Sequence, residues 1–146
     1  MLLIRPLATL LLVLAVASCG PRMIPPGGLA GAPAAPVAVE RFLQLASDRD
    51  YYGMGWVFGT PAGAILTRDP RPEVEQRMFA LASILEHDGF IVPNGRPVPG
   101  RAGEAIVFDV IMTQGNQNYR VPFTAVRGPR DRWYVEQIGV EAITGR

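Results

Sequence analysis

The residue that stands out chemically is Asp109. It sits inside Ala105-Ile106-Val107-Phe108-Asp109-Val110-Ile111, where every other side chain is apolar. A carboxyl group desolvated by such neighbours keeps its proton to higher pH and can serve as a general base. The competing reading is a plain ion pair, because Arg120 lies diagonally across on the expected neighbouring strand. His87-Asp88 has the composition of a proton relay. Helical arithmetic, however, places His87 near Gln76, Ala80 and Ser83, off the apolar stripe, where a cation complements a helix C-terminus.

Other reactive groups are scarce. Cys19 is the only cysteine. Beyond residue 18 the serines are Ser47 and Ser83, and neither sits in a Gly-x-Ser-x-Gly elbow. All 14 basic residues are arginine, which excludes a Schiff-base lysine and a P-loop lysine. A single histidine excludes every multi-histidine metal site within one chain, and no metal or cofactor is expected. Gly53-x-Gly55 lacks the preceding strand and third glycine of a dinucleotide loop. Arg127, Arg130 and Arg132 gather beside Asp131 in a segment that reads as a solvated turn, with an anionic lipid or partner contact as the alternative. Tyr51, Tyr52, Trp56, Phe58, Trp133 and Tyr134 either fill a core or line a pocket. Tyr52, Trp56 and Trp133, together with Asp109, are the candidate ligand-binding residues.

The elements that must position these groups follow from periodicity. Val39, Phe42, Leu43 and Ala46 recur on one helical face and predict a helix over 38–47. Asp50 is placed to cap a second, short helix over 51–58. Gly53 and Gly55 each cost about 1 kcal/mol there relative to alanine, which implies close packing or a bend. Residues 59–69 read as loop. Asp69-Pro70-Arg71-Pro72 opens a third helix, with Glu73 and Glu75 at its positive end. Val74, Met78, Leu81 and Leu85 form its buried stripe, Phe79, Ala82 and Ile84 lie beside it, and Gly89 is its expected stop. Phe90-Ile91-Val92 is a short strand, and Asn94-Gly95 is a hairpin signal.

The best strands are 104–113 and 118–127. With Gly115-Asn116 as the loop, Met112 faces Tyr119, Val110 faces Val121, Phe108 faces Phe123 and Ile106 faces Ala125, all on one side. Agreement of turn and pattern sets that register. Pro122 marks an edge or a bulge. Residues 132–138 form the last strand. Helices first and an antiparallel meander after them predict an α+β fold, with the helices gathered on one face of the sheet.

Ahead of this domain, Arg5, the apolar run Leu7 to Val16, and Ala17-Ser18 just before Cys19 follow the order of a secretory signal. The run is about half the roughly 20 apolar residues a spanning helix needs. Val16-Ala17-Ser18-Cys19 resembles the lipobox of bacterial lipoproteins. The resemblance implies removal of residues 1–18, a diacylglycerol thioether on Cys19, and anchoring in a membrane outside the cytoplasm. Each buried lipid CH₂ contributes about 0.8 kcal/mol, so several acyl chains hold firmly where one does not. Gly20 stands where an aspartate favours inner-membrane retention in two-membrane bacteria, so the resemblance leans towards the outer membrane. Residues 19–36, rich in proline and glycine, read as the lipidated cysteine and an extended tether. The domain is then 37–146, about 110 residues, enough for one core. The formal net charge of +1 includes Arg5, so the remainder is about neutral and has no overall basic field to draw nucleic acid or anionic lipid.

The helix carrying Glu40-Arg41-Phe42-Leu43, the link Arg49-Asp50-Tyr51 into Trp56-Val57-Phe58, and the closing Trp133-Tyr134-Val135 make the domain resemble the nuclear-transport-factor-2-like superfamily over about residues 37 to 143. That resemblance implies a cone of helices against a curved antiparallel sheet. Ketosteroid isomerases and polyketide cyclases of the superfamily use a pocket acid, for which Asp109 is the candidate here. The expectation is a lipid-anchored envelope protein whose domain binds a small apolar ligand or an envelope protein partner without catalysis. The alternatives are a cyclase- or isomerase-type enzyme using Asp109, and a purely structural envelope component. A cavity enclosing Asp109 favours the enzyme. A filled core with Asp109 paired favours binding or structure.

Overall fold

The computed structural model describes residues 30 to 145. Cys19, with the expected signal and most of the expected tether, lies outside the described residues. Helix α1, Ala35–Ser47, opens with Pro36 in its first turn, where the missing N–H leaves no intrahelical bond unmade. It buries Val39, Phe42, Leu43 and Ala46, the expected stripe, and also Ala35 and Ala38. The lead-in to α1 is folded as well. The Gly31 N–H donates to the Trp56 carbonyl at 2.7 Å, and the fully buried Ala32 bridges to Trp133. Residues 30–36 therefore belong to the domain and not to the tether. Their small side chains show no apolar period, because backbone hydrogen bonds hold them.

Helix α2, Tyr51–Val57, is capped as expected: the Asp50 carboxylate accepts from the Gly53 N–H at 2.8 Å. Its glycines permit close approach. A Cβ at Gly55 would lie 2.6 Å from Val74 Cγ1. The segment expected as loop is ordered. Gly59–Thr60 (β1) and Gly63–Ala64 (β2) form a small hairpin, and a 3₁₀ turn over Ile65–Thr67 follows. Helix α3 is Arg71–Ile84, and Val74, Met78, Ala82 and the following Leu85 are buried. Two expectations fail here. Phe79 is 55% exposed. Gly89 does not cap the helix; the chain leaves it at Leu85, and Gly89 begins strand β3, Gly89–Ile91.

Asn94-Gly95 is not a hairpin turn. Strands β3 and β4, Arg96–Pro97, both pair with the same edge of β5, Ala105–Gln114, through Ile91↔Ile111 and Arg96↔Val107. They are two pieces of one broken edge strand. Glycine suits position 95 because a Cβ there would lie 2.4 Å from Ile106 Cγ2. Strand β6, Gln117–Arg127, pairs with β5 in the expected register, including Met112↔Tyr119 and Phe108↔Phe123. Strand β7, Trp133–Ile138, covers β6 only as far as Phe123, so Pro122 sits where the sheet becomes an edge. A short helix α4, Glu141–Thr144, contacts β6.

The result is an α+β fold with one face of the sheet under the helices. On that face Phe108, Val110, Met112, Val121, Phe123 and Ala125 are 3% exposed or less and join Phe42, Leu43, Met54 and Met78 in one core. Strand β7 sends Trp133 and Val135 into this core and Tyr134 to the other face. There Tyr134 packs with Ala64, Ala105 and Val126, with Trp56 and Val98 alongside. Among the described residues no helix is long and apolar enough to cross a membrane.

Candidate functional site

Asp109 does not reach the core. Strand alternation turns it to the outer face with Val107 and Ile111, and its carboxylate is 32% exposed. Its partner is Arg96, not Arg120. Both guanidinium Nη groups of Arg96 donate to it, one at 3.4 Å and the other at closer range. The hydrogen bond and charge of Asp109 in turn raise the Arg96 pKa above its ordinary value. The pairing was hidden in the sequence because Arg96 follows an apparent hairpin signal and reads as part of an irregular segment. A carboxylate held by a guanidinium at the surface lacks the dry pocket that a raised-pKa base requires.

The other ligand candidates are dispersed. Tyr52 and Trp56 meet edge to face, their centroids 6.2 Å apart, and the Arg71 guanidinium stacks on Tyr52 at 4.1 Å. Trp56 leans on the smaller cluster, and its buried indole N–H has no partner among the described residues. Trp133 belongs to the main core, with Arg127 stacked 5.3 Å from its centroid.

His87, in contrast, gains neighbours that no helical projection shows, because α3 ends before it. Its Nδ1 lies 2.8 Å from the Leu85 carbonyl. A carbonyl only accepts, so Nδ1 carries a proton, and Nε2 lies within hydrogen-bond reach of Ser47 Oγ, at 3.1 Å. The ring also packs edge-on to Phe90, at 5.2 Å. Asp88 forms no relay with it: its carboxylate accepts from the Gly115 N–H at 2.8 Å. Gln114 fastens the same linker by donating to the Ile84 carbonyl at 3.1 Å and the Glu86 carbonyl at 2.6 Å.

Around His87 lies a groove of about 330 Å³, where the end of α1 meets α3. Tyr51 and Phe79, edge to face at 5.5 Å, form its apolar wall, and Ser47, Arg49, Glu86 and His87 form its polar side. A serine hydroxyl within hydrogen-bond reach of an imidazole is the opening geometry of nucleophilic catalysis. The next requirement is missing. The amides beside Ser47 are taken up, Asp48 N–H by the Gln44 carbonyl at 3.0 Å and Arg49 N–H by Ala46 at 3.1 Å. They provide no oxyanion hole. The arrangement can hold a ligand by an apolar body and one or two polar atoms. Among the described residues no group of three or more His, Cys, Asp or Glu could hold a metal ion. No family model matches the chain, and no curated protein or solved structure is significantly similar to it.

Proposed function

We propose that this is an envelope lipoprotein, anchored through lipid on Cys19, whose domain is a binding module and not a catalyst. The observation that carries the second part is the position of Asp109, tied to Arg96 on the outer face while the inner face of the sheet is packed with apolar side chains. The enzyme reading needed that carboxylate inside a cavity. The purely structural reading has no use for the groove at His87.

The inner face of the sheet is packed with buried apolar side chains, so the proposed ligand site is the surface groove. Its lining suits a small amphipathic molecule: a flat or branched apolar body against Tyr51 and Phe79, and a polar end at Ser47, His87 and Arg49. A kinship with the nuclear-transport-factor-2-like cone is supported by helices preceding the meander, their packing on one sheet face, and the parallel bridge from Phe58 to Val135.

The test is extraction of the protein from its envelope in mild detergent, with mass spectrometry of small molecules that co-purify. A ligand retained by the wild type and lost from Phe79→Asp and His87→Ala supports the reading. Equal retention by all three, or retention by none, refutes the groove.

A further inference from the structure

The lead-in to the domain is held by two arginines from distant parts of the chain. Arg132 donates from Nε to the Ala30 carbonyl at 2.9 Å and from Nη2 to the Gly31 carbonyl at 3.1 Å. Arg41, on α1, donates to the same Gly31 carbonyl at 2.8 Å. Two guanidinium groups thus converge on one neutral oxygen. Neither has a carboxylate within 4.0 Å among the described residues. Like charges brought this close repel unless an anion joins them.

More positive charge stands next to them. The turn from β6 to β7 carries Arg130 in the left-handed region, at φ 58°, and Arg127 stacked on Trp133. The nearby acids are Asp131, 3.8 Å from Arg127, Glu104, beside Arg127 in a shallow surface groove, and Glu40, which lines a groove with Arg41. Four guanidinium groups against three carboxylates leave this end basic, although the chain as a whole is about neutral.

The same end is where the chain arrives from Cys19. Ten residues lie between Cys19 and Ala30, a reach of at most about 40 Å. We propose that Arg41, Arg130 and Arg132 form a phosphate-binding surface that docks this end of the domain on the anionic headgroups of its own membrane. The proposal rests on the lipid-anchor reading. It is chosen over a free phosphate because the short reach keeps the arginines near a headgroup layer, and a planar guanidinium fork matches phosphate oxygens. Docking here also fixes which way the His87 groove faces.

The two tryptophans are built-in reporters, since the Trp56 carbonyl accepts from Gly31 and Trp133 bridges to Ala32. The mature lipidated protein is placed in vesicles of phosphatidylcholine, with or without 30% phosphatidylglycerol, carrying a headgroup spin label. The expected result is tryptophan quenching that is stronger in the anionic vesicles and lost in high salt. Arg41→Gln and Arg130→Gln should each weaken docking about fivefold, the usual effect of one basic residue at an anionic surface. The Arg130 side chain is exposed and makes no hydrogen bond or ion pair among the described residues, so Arg130→Gln removes charge without removing a contact. Equal quenching in both lipids, or no change in either variant, overturns the proposal. A thermal shift with inorganic phosphate but no preference for anionic vesicles also overturns it, in favour of a free anion. The Cys19→Ser chain separates the two readings. If it sediments with anionic vesicles and the wild type carries no lipid, the anchor fails and the surface stands. If the wild type is lipidated but its domain shows no lipid preference, the surface fails and the anchor stands.

Discussion

Tyr134→Phe should stabilise this protein. Tyr134 is fully buried, yet its hydroxyl has no hydrogen-bond partner among the described residues. A buried, unsatisfied hydroxyl costs about 1–3 kcal/mol relative to water. The ring itself is held by two glycines: a Cβ at Gly31 would lie 2.8 Å from Cε1, and one at Gly128 2.7 Å from Cε2. Phenylalanine keeps that ring contact and leaves behind a gap of only one oxygen. After the lost packing of that atom, the net gain is about 1 kcal/mol. In urea, with a slope of about 2 kcal/mol/M, the midpoint should rise by about 0.5 M at unchanged slope.

A second readout checks the same cause. Burial raises the Tyr134 pKa, against the opposing pull of Arg132 and Arg130. Below the ordinary tyrosine value of about 10 both folded and unfolded states keep the proton, and there is no pH effect. Above it the unfolded chain releases the proton first, so stability falls until the higher folded-state pKa is passed. The phenylalanine variant should lose that alkaline limb. A variant less stable than wild type by 1 kcal/mol or more would refute the reasoning, because it would mean the hydroxyl is hydrogen-bonded.

Three further outcomes are expected. Gly55→Ala forces a methyl against Val74 and Leu66 and should cost about 1–3 kcal/mol in urea unfolding. Asp50→Ala removes the cap on Gly53 and should cost about 1 kcal/mol, with Asp50→Asn losing less. Labelled palmitate should enter the wild type and not Cys19→Ser; absence of label from the wild type would sink the lipoprotein reading.

The hairpin of β5 and β6 was legible because a tight turn and an alternating apolar pattern independently demand the same register. Helices α1 and α3 were legible from their stripes. Asn94-Gly95 misled, since a turn dipeptide records local preference, and here the chain stays on one edge because glycine lets it lie against Ile106 and Phe108. Gly89 misled in the same way, its place as a helix stop being taken by Leu85 entering the core. The candidate site was hardly legible at all. Ser47 and His87 lie 40 residues apart and meet only through α1 packing beside the end of α3.

From residue order alone come those features in which every interaction is short in range: the absence of lysine, the Asp50 cap, the amphipathic helices and the register of the main hairpin. Packing assigned the partners. It gave Asp109 to Arg96, turned Tyr134 away from the core, brought Ser47 to His87, and set Arg41 and Arg132 on one carbonyl of a segment whose composition reads as tether. Side chains distant in sequence become neighbours only once the sheet and helices have chosen their faces, and that choice is made by the core as a whole.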